Sequence, residues 1–190
     1  MTDLRLSELR RVAPGQYVES HGLWFDDFTP GDIYFHQPGR TVTEADNVWQ
    51  SLINMNDHPL HIDHHYAETT EFERPLVSSL VTFGIIGGLS LASTSKRAIA
   101  NLGWKQVELP NPVFVGDTLY ASSKIVSKRR SKSRPDQGIV TVETTGFKPC
   151  GTVVLVWQRS FLVPLTPDQS TPIIVPDAIV NRLRRQGGDI

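Results

Sequence analysis

The chain has 190 residues, 39% of them apolar, and a formal net charge of −1. That is enough for one medium domain with a single core. A near-neutral chain offers no general basic field for nucleic acid or an anionic membrane, and no apolar run reaches the roughly 20 residues that a membrane helix needs.

Residues 1–20 are charged and mixed, and they lack the apolar core of a secretory leader. The spacing predicts a short helix over 3–12, ended by Pro14-Gly15. We read residues 1–22 as a peripheral arm. Pro30-Gly31-Asp32 signals a turn, and Ile33-Tyr34-Phe35-His36 is β-branched and aromatic, hence a strand. Thr43 opens a helix as its cap, with Asp46 three residues on. Val48, Trp49, Leu52 and Ile53 form its apolar stripe, and the helix ends near Asn54.

The next stretch, 54–67, is the chemical centre of the sequence. It holds Asn54, Asn56, Asp57 and Asp63 together with His58, His61, His64 and His65, four of the six histidines in the chain. Imidazoles gather where protons move near neutral pH. A polar connection between two helices is the plainer alternative. Pro59 keeps His58 out of a helix, and Asp63 is placed to cap a short one with Tyr66, Ala67 and Phe72 facing inward.

An apolar, Gly- and Ser-rich segment follows, predicted as a long buried helix within 75–100 that starts near Ser78 and is capped by Ser78 or Ser79. Gly84, Gly87 and Gly88 suit a face against which a backbone or a ligand lies. From Trp104 onward the pattern is that of strands: 104–109, 118–126, 138–147 and 152–165. The basic run from Lys124 to Arg134 falls partly in a predicted loop, 127–137, which reads as a solvated hairpin tip or as a phosphate-contacting patch. Residues 167–190 read as a tail with a short basic helix. The order is a helical block followed by an antiparallel meander, an α+β layout with one core over 23–166.

A lone cysteine, Cys150, makes no internal disulfide, which suits an intracellular, cytoplasmic protein. It lies in Lys148-Pro149-Cys150-Gly151, a turn rather than a nucleophile's setting. The histidine cluster invites a metal, but no HExxH and no cysteine pair supports one, so neither metal nor cofactor is expected.

Three segments resemble the MaoC-like dehydratases, the hot-dog-fold family that includes R-specific enoyl-CoA hydratases. They are Asn56-Asp57-His58-Pro59-Leu60-His61-Ile62-Asp63, similar to the motif Asp-x-Asn-Pro-Leu-His-x-Asp; Arg74-Pro75-Leu76-Val77-Ser78-Ser79-Leu80, similar to the entry of the hot-dog helix; and Pro112-Val113-Phe114-Val115-Gly116-Asp117-Thr118-Leu119, similar to the strand–turn–strand after it. The resemblance implies one long central helix wrapped by a curved antiparallel sheet. It also implies a CoA thioester substrate, hydro-lyase chemistry, and a homodimer or larger assembly with the site at the subunit junction. By that resemblance His61 and Asn56 are the catalytic pair. Ser79, Ser78, His58 and Asp63 contact the substrate, with the N–H of Ser79 holding the thioester oxygen. The chain departs from the motif in two places: Asn56 stands where the family has Asp, and His58 where it has Asn. These changes point to an unusual acyl group, short and branched or dicarboxylic, as in mesaconyl-CoA hydratase relatives, with Arg74 or Arg97 available to a second carboxylate. A non-catalytic acyl-CoA-binding domain is the alternative.

Overall fold

The computed structural model describes residues 4–166 and residue 178. Five strands form one antiparallel sheet in the order β3-β5-β6-β7-β4, with β3 Ile33–Thr41, β4 Ala100–Glu108, β5 Thr118–Arg130, β6 Gln137–Phe147 and β7 Val153–Pro164. One face of the sheet is covered by helix α4, Ser79–Ser90. β6 therefore alternates strictly between buried and half-buried residues, as expected of a sheet covered on one side. Val81, Ile85 and Ile86 of α4 meet Leu119, Ala121, Leu155 and Trp157 in the main core. The helix comes close at Gly146, where an added Cβ would stand 2.5 Å from Ile86 Cδ1. A second cluster, Leu23, Phe25, Phe28, Ile125 and Phe161, closes the other end of the sheet. A single helix wrapped by a curved sheet is the hot-dog arrangement that the sequence led us to expect.

Several local expectations need correction. The predicted helix over 3–12 is instead a strand, β1 Ser7–Ala13, paired with β2 Gln16–His21. Pro14-Gly15 acts as the hairpin turn, with Gly15 at φ +67°. The long helix within 75–100 is only α4, 12 residues long. Ser90 Oγ donates to the Gly87 carbonyl and Thr94 Oγ1 to the Ser90 carbonyl, so hydroxyls compete for the acceptors of the last turn. The charged loop over 127–137 shrinks to 131–136. Arg130 still pairs with Gly138 across β5 and β6, and Lys128 lies over the Phe25 ring. Residues 167–190, read as a tail with a short basic helix, lie outside the described residues apart from Ala178.

The sheet also holds a buried polar knot. His36 Nε2 lies 2.8 Å from Ser123 Oγ and its Nδ1 2.9 Å from Ser93 Oγ, while Ser123 Oγ lies 2.8 Å from Thr144 Oγ1. Burial, together with the Arg159 guanidinium, pushes the His36 imidazole down from 6.5 to about 4. Among the described residues no helix is long and apolar enough to cross a membrane.

Candidate active site

The site is assembled where helix α1, Glu44–Ile53, meets the entry to α4. Thr43 caps α1 reciprocally with Asp46, as its position predicts. The inward face of α1 is not the expected apolar stripe, however. Its buried residues are Asn47 and Ser51, whereas Trp49 is 67% and Ile53 70% exposed. Asn47 explains the inversion. Its Nδ2 donates to the carbonyls of His61, at 2.9 Å, and Leu76, at 3.2 Å, and its Oδ1 accepts the Ser78 N–H at 2.9 Å. One buried amide thus ties together the helix, the histidine loop and the start of α4.

After α1 the chain turns at Met55, a non-glycine residue at φ +56°, and the Asn56 N–H donates to the Ser51 carbonyl. That aims the Asn56 side chain at the head of α4, with Nδ2 3.4 Å from Ser78 Oγ. Asn56 Oδ1 accepts the His58 N–H at 3.3 Å. The short helix α2, Pro59–Ile62, follows with Pro59 in its first turn. Its His61 is half-buried, and Nδ1 lies 2.8 Å from the Leu76 carbonyl oxygen. A carbonyl only accepts, so Nδ1 carries the hydrogen and the Nε2 lone pair is free to take a proton. The Leu76 N–H in turn donates to the Leu60 carbonyl, which holds the two segments in register.

Ser78 is the N-cap of α4, yet its hydroxyl does not cap the helix and is met by Asn56 instead. Ser79 is the first helical residue, so its N–H is among those with no partner inside the helix. Beside it lies a cavity of about 230 Å3, lined by Leu76, Val77, Ser79, Thr82 and Val113 among others. Its walls mix apolar side chains with Ser79, Thr82 and Asn111, and the helix N-terminus at the rim can donate to an oxygen.

The structure therefore joins His61, His58, Asn56 and Ser78 in one run of neighbours, while Ser79, next to Ser78 in the chain, lines a cavity that none of those four lines. Asp63 caps helix α3, His64–Glu68, as its position predicts: its Oδ1 accepts the Tyr66 N–H. Tyr66, expected to face inward, is 42% exposed, while Ala67 is fully buried. Arg97 is committed elsewhere, with Nε on the Gly22 carbonyl, Nη2 on Ser20 Oγ and its guanidinium over Trp24. Arg74 stacks over Phe114 at 3.9 Å, and Phe114 packs on Phe72 at the cavity wall. Cys150 is exposed beside Thr152, whose hydroxyl draws its thiol pKa down. Among the described residues no three His, Cys, Asp or Glu side chains converge as metal ligands. Sequence reasoning missed Asn47. Its signal was the pair Asn47 and Ser51, four apart and hence on one helix face, opposite the apolar residues.

The model of the MaoC-like domain matches residues 27–147. The chain is 32% identical over 160 residues to the β-methylmalyl-CoA dehydratase of Chloroflexus aurantiacus, covering 82% of this chain and 45% of that protein. It is 26% identical to the mesaconyl-CoA hydratase of Cereibacter sphaeroides, covering 84% of this chain and 49% of that one. A Mycobacterium tuberculosis protein described as having a double hot-dog fold superposes with a TM-score of 0.70 at 24% identity, covering 80% of this chain and 47% of the other. The chain spans about half the length of the curated relatives it matches. The match to the family covers residues 27–147, more than half of the chain, the fold agrees with it, and the chain belongs to the MaoC-like family.

Proposed function

We propose that this protein is a hydro-lyase that adds water to, or removes it from, the double bond of a short enoyl-CoA thioester. One observation supports the reading: the bond from His61 Nδ1 to the Leu76 carbonyl, which leaves the Nε2 lone pair as a base on a ring tied to the segment that leads into α4. In hydration, His61 Nε2 takes a proton from water as the water oxygen bonds to the β-carbon. The electron pair of the double bond moves toward the thioester oxygen, where the Ser79 N–H stabilises the enolate. An Asn56 amide orients the water but takes no proton. The imidazolium of His61 therefore returns the proton to the α-carbon, and both new bonds form on one face of the double bond.

The departure at Asn56 and the names of the relatives support a branched or dicarboxylic acyl group, with Arg74 held over Phe114, which packs on the Phe72 wall of the cavity. No cofactor is required by these steps. A panel of enoyl-CoA thioesters, followed by loss of the conjugated absorbance, tests the reading. Turnover of at least one member and its near-abolition in His61→Ala are expected. Saturable binding of saturated and unsaturated thioesters alike, without turnover by either protein, would support the acyl-CoA-binding alternative, which the missing carboxylate at position 56 favours.

The assembly belongs to the same proposal. Trp49, Leu52 and Ile53 of α1 lie exposed, Trp49 lines one groove with Leu80, 51% exposed, and an added Cβ at Gly84 or Gly88 of α4 would meet nothing within 4 Å. Such a face suits a second hot-dog unit, a copy of this chain, set against the head of α4. The single cysteine suits a cytoplasmic setting.

A further inference from the structure

Two of the four clustered histidines stand apart from the chemistry above: His64 bonds Glu44 at 2.7 Å, and His65 is exposed on α3. His58 remains, the N-cap of α2, with its ring centroid 5.8 Å from that of His61. Its Nδ1 lies 3.1 Å from the Leu60 N, and a backbone N–H only donates. Nδ1 therefore holds a lone pair, and the hydrogen of the neutral ring sits on Nε2. His61 is the opposite tautomer, with its hydrogen on Nδ1 and its lone pair on Nε2. Two neighbouring imidazoles thus have complementary free ends, one donating and one accepting, each set by a backbone group.

We propose that His58 is a fixed hydrogen-bond donor to the reacting water, a role that rests on the hydratase reading. His58 cannot serve as the acid, because a neutral ring that gave up its Nε2 proton would become an imidazolate. A neutral imidazole that donates a hydrogen bond without transferring the proton is an established device. The water then has four directions filled. It donates to His61 Nε2 and Asn56 Oδ1, accepts from His58 Nε2–H, and keeps one lone pair for the β-carbon. The Asn56 carbonyl is held for this by the His58 N–H, so the two residues are aimed together.

The test uses two nearly isosteric variants of the full chain, His58→Asn and His58→Asp. Either side chain can accept the Leu60 N–H and cap α2, but only Asn retains an N–H to offer. Their kcat/KM values are measured on the best thioester of the panel. In the wild type, the imidazole 15N shifts of His58 and His61 report the two tautomers without any turnover. We expect His58→Asn to stay within about tenfold of wild type and His58→Asp to fall by about 10²-fold or more, the usual loss for one aimed donor. We also expect the neutral His58 ring to be protonated at Nε2. Equal activities of the two variants, or a neutral His58 ring protonated at Nδ1, would overturn the role. A wild type silent on the whole panel would overturn the hydratase reading itself and this role with it, which separates the two failures.

Discussion

Asn47 Oδ1 accepts the backbone N–H of Ser78 at 2.9 Å, a bond that spans 31 residues and joins a helix of the site loop to the head of the central helix. The same amide reaches the His61 and Leu76 carbonyls, and Leu76 is the residue that fixes the His61 tautomer. In the proposed reaction Asn47 is therefore a positioning residue: through these bonds it sets where His61, the proposed base, stands relative to the head of α4.

Replacing Asn47 by Ala leaves a buried N–H and two carbonyls without this partner. We expect a loss of about 2–4 kcal/mol in urea unfolding and a drop in kcat of about 10–100-fold from the misplaced base. Asn47→Asp keeps the acceptor for Ser78 but turns an oxygen toward two carbonyls, so it should lose stability too. A change in KM alone, with kcat intact, would contradict the positioning role.

Asn56→Asp puts a carboxylate within reach of Ser78 Oγ and the His58 N–H. It restores a second proton carrier, so activity on a simple crotonyl-type thioester should rise, and a second ionisation should enter the pH profile. Steady-state kinetics across pH checks both. No gain on any simple substrate would mean that the amide is matched to the native acyl group.

His36 makes stability depend on pH. Its imidazole titrates near 4 in the fold against 6.5 when free, so between those values the unfolded chain binds a proton that the folded chain refuses. Its contribution is complete above about pH 6.5 and is lost as the pH falls toward 4, on the order of 3 kcal/mol in all. Urea unfolding at pH 7.5 and 4.5 should show the loss, and His36→Asn should flatten this part of the curve.

Much of this was legible in the chain. Thr43 and Asp46, the Asp63 cap and the strand pattern over β6 are local signals, and the structure repeats them. The histidine cluster and the entry to α4 mark the candidate site because their residue types can carry the proposed chemistry. What stayed hidden depends on tertiary contacts. Trp49 and Ile53 read as a core stripe because periodicity does not say which face points inward, and the buried face proved to be Asn47 and Ser51. The tautomers of His58 and His61 are set by backbone atoms of Leu60 and Leu76, which no side-chain pattern encodes. The hairpin β1–β2 hid in a charged segment whose pairing the residues alone do not specify.

If His61 alone carries the proton, the pH dependence of kcat/KM for hydration by the wild type, with His61→Gln alongside, shows it most directly. We expect a single rising limb that levels off once the imidazole is neutral, and a loss of about 10²–10⁴-fold in the variant at every pH. A bell-shaped wild-type profile, or a variant that keeps most of the activity, would contradict it.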